Sequence, residues 1–519
     1  IGASLYASNI GSLHFVGLAG SAAAGGIGVG NYELNAIFVV LLLGYVFLPV
    51  YIASGVFTMP EYLHRRFGRD RMQVCLAVLA ILVYVFTKIS ADLYSGVIFI
   101  EQSLGWDMYG ALLLLLSIAA LFTITGGLTA VIWTDFAQTI IMLVGAFVLM
   151  VIGFNEVGGF HAMVEKYPQA IANTSFNHEN FSSNYSTSIN NSTAGTCGAP
   201  RDDYMHLLRD PRTGDLPWPG LFGVTINSIW YWCSDQVIVQ RTLAAKNYDH
   251  AKAGAILCGF IKSFGLFLLI FPGMIARILF TDSVGCADAE SCMEVCGSPS
   301  SCSNIAYPLL VIHLLPAGAR GMMLAVMLSA LMTSLTSIFN SSSTIFAMDI
   351  WTKVRRKCSE LEIMIVGRVF VVVLVVISVI WIPVLKASQG SDLYVYIQEV
   401  SSFLQPPICA VFLLGIFWPR LNEQGAFYAT LIGMGTGLIR FIVEYSYRVP
   451  ACDSDEIDHT PSIIKNFHYL YFSAFLFILT SICAIVISLI TKPIDKRCVS
   501  MSKILWFIKD RDVETIMST

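Results

Sequence analysis

Aromatic and hydrogen-bonding side chains stand together in an apolar stretch between Trp218 and Arg241 that is long enough to cross a bilayer. An ionic group in hydrocarbon costs about 2.5–3.5 kcal/mol, so such residues face a cavity, a partner or a substrate. Aromatic faces beside polar heads suit a polyol or sugar. The stretch therefore predicts the wall of a polar solute pathway, the alternative being a buried helix with a self-satisfied polar patch. Its polar and aromatic members are Asn227, Trp230, Tyr231, Trp232, Ser234, Asp235, Gln236 and Gln240.

Two further clusters could bind ions. In the opening segment, Ser, Asn, His and several Gly residues interrupt an apolar run, which predicts a discontinuous helix with free carbonyls. A small-residue face for tight helix packing is the alternative. At Ser329–Ser343, hydroxyl side chains lie among Leu, Met and Ile and offer the hard oxygen ligands that suit an alkali cation. The alternative there is hydrogen bonding to backbone carbonyls one turn back.

Isolated charges complete the candidates. Lys88 and Asp92 are four residues apart on one helix face, which predicts a mutual salt bridge. Glu33, Asp135 and Lys262 lie in or near apolar segments, where an ionisable group is functional by default. Asp135 has a second interpretation as a helix N-terminal cap.

The elements that position these residues are membrane helices. Only 13% of the 519 residues are charged, 56% are hydrophobic, and mean hydropathy is +0.69, whereas soluble domains carry about 25% charged residues. The net charge of −4 gives no argument for nucleic acid. Neither a P-loop nor a recognisable nucleophile–base pair occurs, so an ATP-driven pump or an enzyme lacks support. We expect the chain to begin within a helix.

Apolar runs predict about twelve spans, all helical and forming a multispan all-α membrane protein. The runs are 1–27, 33–55, 73–100, 107–126, 131–154, 217–240, 251–280, 305–350, 362–386, 393–418, 425–447 and 467–491.

Every second connection is basic and is therefore predicted to be cytoplasmic. The opposite side carries glycosylation candidates in the polar loop 155–216 and cysteines that predict disulfides in an oxidising space, with pairing left open. The sequons begin at Asn173, Asn180, Asn184, Asn190 and Asn191. The disulfide candidates are Cys197, Cys286, Cys292, Cys296, Cys302 and Cys452.

Six stretches resemble the sodium/solute symporter family, and within it the animal sodium/glucose and sodium/myo-inositol cotransporters. They occur in the expected order along essentially the whole chain. They are ASNIGSLHFVGLAG (7–20), FTKISADLYSG (86–96), ITGGLTAVIWTD (124–135), WYWCSDQVIVQR (230–241), LMTSLTSIFNSSST (331–344) and NEQGAFY (422–428).

The resemblance implies an inverted five-plus-five helix repeat of the leucine-transporter type with additional C-terminal helices. The first repeat would be 1–154, truncated at its N-terminus, and the second 217–418, with a Cys-rich loop at 281–304. The glycosylated loop 155–216 would lie between the repeats. Two more helices would occupy 419–491, and 492–519 would be a cytoplasmic tail.

The resemblance also implies the site residues. The sugar would contact Asn9, His14, Glu33, Ser228, Tyr231, Trp232, Lys262 and Gln398. The gates would be Leu18, Tyr32 and Tyr394 outside and Tyr231 inside. One sodium would bind Ala7, Ile10, Ala330, Thr333 and Ser334. A second sodium site would comprise Ser8, Asp135, Thr333 and Thr336.

The implied activity is sodium-coupled symport of a sugar or polyol across the plasma membrane by alternating access. Glucose, mannose and myo-inositol all stay open as substrates, because Leu13, Tyr32, Ser228 and Tyr394 depart from the familiar glucose-carrier pattern. The alternative is a sugar-gated, sodium-permeable sensor without net uptake. The expected partners are the sugar or polyol, sodium and the lipid bilayer. No cofactor beyond co-transported sodium and no nucleic acid is expected, and an accessory subunit stays open.

Overall fold

The computed structural model describes residues 1–105, 108–174, 198–298, 301–388, 393–447 and 460–494. These residues form helices joined by loops, and the described ranges contain no strand beyond one isolated bridge between Arg209 and Pro217. The helices of the first part are α1 (Gly2–Asn9), α2 (Ala19–Gly25), α3 (Asn31–Leu42), α4 (Leu48–Ser54), α5 (Met59–Phe67), α6 (Asp70–Val83), α7 (Ser90–Leu104), α8 (Met108–Val157) and α9 (Phe160–Lys166). Those of the middle part are α10 (Leu221–Ile229), α11 (Gln236–Leu243), α12 (Tyr248–Lys262), α13 (Phe271–Leu279), α14 (Thr281–Val284), α15 (Ala289–Cys296), α16 (Ala306–Leu314), α17 (Ala317–Ile345) and α18 (Thr352–Val354). The last part contains α19 (Glu360–Ser388), α20 (Leu393–Leu404), α21 (Pro406–Phe417), α22 (Glu423–Ser446), α23 (Ser462–Asn466) and α24 (Tyr469–Ile490).

Membrane-length apolar helices confirm the all-α multispan class. The described residues contain seven helices long and apolar enough to cross a membrane, or nine if two bent pairs each count as one span. These nine match nine of the predicted spans. Two more predicted spans, 1–27 and 217–240, are broken into shorter pieces, and 107–126 corresponds to the shorter apolar segment Leu112–Ile124.

The first predicted span is a discontinuous helix. Helix α1 ends at Asn9, and the chain resumes in a π-helical turn at His14 that leads into α2. The break is held close to α7 and α17, because a Cβ on Gly11 would collide with the side chains of Asp92 and Ser334. Glycine is therefore required there by close approach.

A second break separates α10 from α11. A π-helical turn at Trp230–Ser234 follows α10, and Asp235 then adopts an extended backbone with φ −79° and ψ 131°. Its carboxylate accepts from the Val237 N–H at 3.3 Å and caps α11. The polar stretch recognised in the sequence thus lies on an interrupted helix.

The interpretation of Asp135 as a helix cap is wrong. Helix α8 runs continuously from Met108 to Val157, so Asp135 lies far inside it, where every backbone N–H already has a helical partner. The Asp135 side chain is fully buried and faces α1 and α11, as described below. The periodic apolar pattern could not separate one long helix from two consecutive ones.

Four cysteines of the 281–304 loop lie in two pairs, Cys286–Cys292 and Cys296–Cys302. Cys197 and Cys452 lie outside the described residues, as do the sequons at Asn180, Asn184, Asn190 and Asn191. The remaining sequon residue, Asn173, is exposed and donates its side-chain amide to Asp282 at 3.1 Å.

Non-reducing peptide mapping of purified protein tests this pairing. We expect one peptide linkage between Cys286 and Cys292 and another between Cys296 and Cys302, because each pair has Cα atoms within 5.7 Å. Buried Cys258 should be recovered as a free thiol. Alkylation of the loop cysteines without prior reduction contradicts the pairing.

Candidate functional site

A central cavity lies between the two broken helices. It contains about 1000 Å³ of empty space, part of it continuous with solvent, and α3, α7, α12, α17 and α20 complete its wall. The lining includes all eight residues predicted to contact the sugar: Asn9, His14, Glu33, Ser228, Tyr231, Trp232, Lys262 and Gln398.

A buried ion pair forms the polar centre of this cavity. The Lys262 ammonium lies 2.7 Å from Glu33 Oε2 and donates to Asn9 Oδ1 at 2.5 Å. The other Glu33 oxygen lies 3.6 Å from Nε2 of His14. These four side chains come from four separate helical segments, and each supplies a hydrogen-bonding group that a hydroxyl-rich ligand can use.

Aromatic rings border the ion pair. The Trp232 ring centroid lies 5.3 Å from Lys262 Nζ, and the Tyr231 and Trp232 rings meet edge to face at 5.4 Å. Tyr231 also hydrogen-bonds Asn9. Flat apolar faces next to charged and amide groups can hold the C–H surface and the hydroxyls of a carbohydrate at the same time.

The predicted salt bridge between Lys88 and Asp92 is wrong. Lys88 instead pairs with Asp235, which also accepts from the Tyr84 hydroxyl, and the Lys88 ammonium lies 4.4 Å from the Tyr231 ring centroid. The Asp235 carboxylate, which the α10–α11 break presents to Lys88, is fully buried. A buried carboxylate is costly without a cation, and this favours its pairing with Lys88. A pairing across 147 residues leaves no trace in helix-face spacing.

Two tyrosines separate the central cavity from a second one. Tyr32 and Tyr394 line both cavities, and their rings meet edge to face at 5.3 Å. The Tyr32 hydroxyl is 2.9 Å from that of Tyr469 on α24. Leu18, also predicted as a gate, lies fully buried against the apolar core and does not line either cavity.

The break after α1 frees backbone carbonyls. In a continuous helix, the Ala7 and Ile10 carbonyls would accept from the N–H groups of Gly11 and His14. Here Gly11 donates to Asn9 O and His14 donates to Gly11 O, each at 3.1 Å. Two of the predicted sodium ligands have therefore lost their helical donors.

The hydroxyls predicted to complete this sodium site lie on α17. Ser334 lines the central cavity and contacts the break near Gly11, while Ala330 is buried nearby on the same helix. Thr333 donates its hydroxyl to Oε1 of Gln138 on α8. A hydroxyl that donates in this way keeps its oxygen lone pairs for a cation.

Asp135 belongs to the second predicted sodium set. Its Oδ2 accepts from the Ser4 hydroxyl at 2.5 Å and lies 3.5 Å from Arg241 Nη2. Its Oδ1 is buried and receives no hydrogen bond from the described residues. Ser8 donates to Ser4 O at 2.5 Å and Thr336 donates to Thr333 O at 3.1 Å, so neither hydroxyl contacts Asp135 through its proton.

Sequence comparison assigns this architecture. The model of the sodium:solute symporter family matches residues 1–433. The chain belongs to this family.

Its relatives are cotransporters. The symporter is 55% identical to rabbit (Oryctolagus cuniculus) sodium/myo-inositol cotransporter 2 over 510 residues, which cover 98% of this chain and 73% of the relative. It is 53% identical to sheep (Ovis aries) sodium/glucose cotransporter 1, covering 99% and 76% of the two chains. The mouse (Mus musculus) sodium/glucose cotransporter 4 is 52% identical, with 98% and 72% covered.

A solved structure supports the fold. A Na⁺-coupled sialic acid symporter in a substrate-bound, outward-open state superposes with a TM-score of 0.72 at 18% identity, covering 95% of this chain and 90% of that one. This likeness confirms the leucine-transporter-like fold of the symporter.

Sequence reasoning missed several residues of the symporter's cavity. Thr87, Ser401 and Gln405 line it without having been singled out. Arg241 was named only as the end of the polar stretch, although it pairs with Asp135. Thr87 and Ser401 look like ordinary helix hydroxyls in the sequence, and Gln405 gains its position from the 50° bend between α20 and α21.

Proposed function

We propose that this chain carries a sugar or polyol together with sodium across the plasma membrane, and that the central cavity holds the substrate during alternating access. The observation that supports this is the joint lining of one cavity by the Lys262–Glu33 ion pair, by aromatic faces, and by residues on both sides of the α1 break. The carbonyls freed by this break lie next to the lining residues in the chain. Substrate and sodium would thus bind on opposite sides of the same α1 break, which couples their binding.

In this proposal, residue roles follow from the contacts. Glu33 accepts from sugar hydroxyls, and Asn9 either accepts through its carbonyl oxygen or donates through its NH2. Lys262 donates, and Trp232 covers an apolar face of the ring. His14, Ser228 and Gln398 complete the hydrogen bonds. Tyr231 closes the inner side above the Lys88–Asp235 pair.

Tyr32 and Tyr394 are the proposed outer gate, because their rings lie between the central cavity and the second cavity. We call this second cavity the outer cavity. Residues 1–154 and 217–418 are the proposed inverted repeats. The broken helices α1–α2 and α10–α11 support this division, since each repeat then opens with an interrupted helix that lines the cavity.

Competition uptake identifies the substrate class. Sodium-dependent accumulation of labelled sugar in expressing cells should be inhibited by one or more of glucose, mannose, galactose and myo-inositol. The sensor alternative predicts sugar-evoked sodium current without accumulation. No observation favours that alternative, and the relatives named above are cotransporters.

Gln398→Ala should weaken sugar binding by about 1–3 kcal/mol, a rise of roughly 5- to 150-fold in half-saturation, because substrate hydroxyls lose a partner in a desolvated site. Gln398 lines the central cavity and hydrogen-bonds Tyr394. The matched control is Glu399→Gln, since Glu399 contacts the Tyr445 hydroxyl at 3.0 Å and lines the outer cavity. Equal half-saturation in both variants, at equal surface expression, places the substrate elsewhere.

A further inference from the structure

A buried carboxyl group lies at the predicted cytoplasmic end of α17, away from the substrate and sodium candidates. Helix α17 continues through a π-helical turn at Phe346–Trp351, and Asp349 on this turn is only 1% exposed. Its Oδ1 accepts two hydrogen bonds, from Thr58 Oγ1 at 3.0 Å and from Gln73 Nε2 at 2.7 Å. Thr58 caps α5, and Gln73 lies on α6.

Asp349 and Gln73 each have a second side-chain oxygen that takes no part in these hydrogen bonds. Asp349 Oδ2 and Gln73 Oε1 are both buried, and neither has a hydrogen-bond partner among the described residues. Both atoms are acceptors if the carboxyl group is ionised. An ionised Asp349 would therefore leave a charged oxygen and an amide oxygen buried without donors, which is costly.

No cation compensates this carboxyl group within the described part of the chain. Lys353 on α18 lies 2.6 Å from Asp70, which His64 also approaches at 3.2 Å. On α5, Glu61 pairs with Arg65 at 2.7 Å.

Two charges on the side of α19 are paired with each other in the same way. Glu362 lies 3.1 Å from Arg355 and accepts from the Trp351 indole at 3.1 Å. Lys353, Arg65 and Arg355 thus pair with acids other than Asp349.

A single proton on Asp349 would give both unpartnered oxygens a hydrogen-bond role. We propose that Asp349 is a proton-binding site and carries its proton on Oδ2, donating to Gln73 Oε1 in a cyclic acid–amide pair. Oδ1 is then the carbonyl oxygen that accepts from Thr58 and Gln73, and Oδ2 is the hydroxyl. Two donors on one oxygen and none on the other is the pattern of a carboxylic acid, whose two oxygens differ.

The pair has a mechanical consequence. It fixes the cytoplasmic end of α17, the helix that carries Thr333 and Ser334, to the start of α5 and to α6. Loss of the proton places a charge in a buried contact and weakens it, so the attachment of α17 depends on pH.

Asp349→Asn tests the proposal, because an asparagine amide reproduces the neutral acid: its oxygen accepts and its NH2 donates to Gln73 Oε1. An aspartic acid in the unfolded chain ionises at about pH 4, whereas folded wild type keeps its proton to higher pH. Its stability therefore falls as pH rises above the unfolded value, by up to about tenfold per pH unit in the unfolding equilibrium constant, until the folded acid ionises as well. We expect the melting temperature of purified wild type to fall between about pH 5 and about pH 7. Asp349→Asn should lack this fall and melt higher at the upper end of this range.

Two variants and one spectrum make the result decisive. Asp70→Asn removes a neighbouring ion-paired acid and should retain the wild-type fall in melting temperature that Asp349 causes. Gln73→Leu should lower the melting temperature, because the protonated Asp349 loses its hydrogen-bond acceptor. Infrared difference spectra should show a protonated-carboxyl carbonyl band in wild type that is absent in Asp349→Asn. Absence of that band in wild type, or an Asp349→Asn variant that is less stable than wild type and still pH-dependent, overturns the proposal.

Discussion

Lys262→Met is expected to destabilise the folded protein by about 3–5 kcal/mol and to abolish sodium-driven sugar uptake. The Lys262 side chain is fully buried and holds both Glu33 and Asn9. Removing it leaves the Glu33 carboxylate, itself 3% exposed, without a cation partner in the described cavity. Surface expression and the melting temperature of purified protein measure the first effect, and labelled-sugar uptake measures the second.

Two companion variants separate stability from binding. Lys262→Met combined with Glu33→Gln removes both charges, so stability should largely return while uptake stays lost, because the hydrogen-bonding groups for the sugar are still missing. Lys252→Met is the matched control on the same helix, where the ammonium lies 4.3 Å from the Tyr45 ring centroid outside the cavity. If the double variant transports sugar with wild-type half-saturation, the ion pair is structural and does not contact substrate.

Local sequence features predicted the parts of the fold that depend on local chemistry. Gly11 and its polar neighbours predicted the α1 break because glycine permits the close approach and polar groups tolerate the interrupted backbone. Pro406 and Pro407 begin α21 at the bend that follows α20, since proline is tolerated in the first turn of a helix. The join between Leu112–Ile124 and Val131–Val157 could not be predicted, since an apolar pattern does not say whether a helix continues.

In the candidate site, too, the sequence predicted some features and not others. The resemblance supplied eight residues that line one cavity, although their separate positions in the sequence carry no distance information. The predicted pairing of Lys88 with its helix neighbour Asp92 was wrong, since Lys88 pairs with Asp235. The pairing of Arg241 with Asp135 was not predicted. Partner choice among buried charges depends on which groups the packed helices desolvate together, and that is a tertiary property.

Asp135→Asn is expected to lower the sodium-to-sugar ratio from about two toward one while leaving sugar binding intact. Asp135 Oδ1 is buried without a donor in the described structure. The second sodium site implied by the resemblance would use this oxygen together with those of Ser8, Thr333 and Thr336. An amide keeps the shape and the contacts to Ser4 and Arg241 but removes the charge that attracts sodium.

Reversal potentials measured against imposed sodium and sugar gradients give the ratio. Two coupled sodium ions square the contribution of the sodium gradient to sugar accumulation. Because two charges then move with each neutral sugar, the reversal potential responds to the sugar gradient half as steeply as with one ion, whereas its response to the sodium gradient is the same. Glu156→Gln, an exposed acid on the same helix α8, is the matched control and should keep the wild-type ratio. A wild-type ratio near one, or an unchanged ratio in Asp135→Asn, sinks the second sodium site. Asp135 would then serve to neutralise the buried Arg241, with Ser4 as a second partner of its Oδ2.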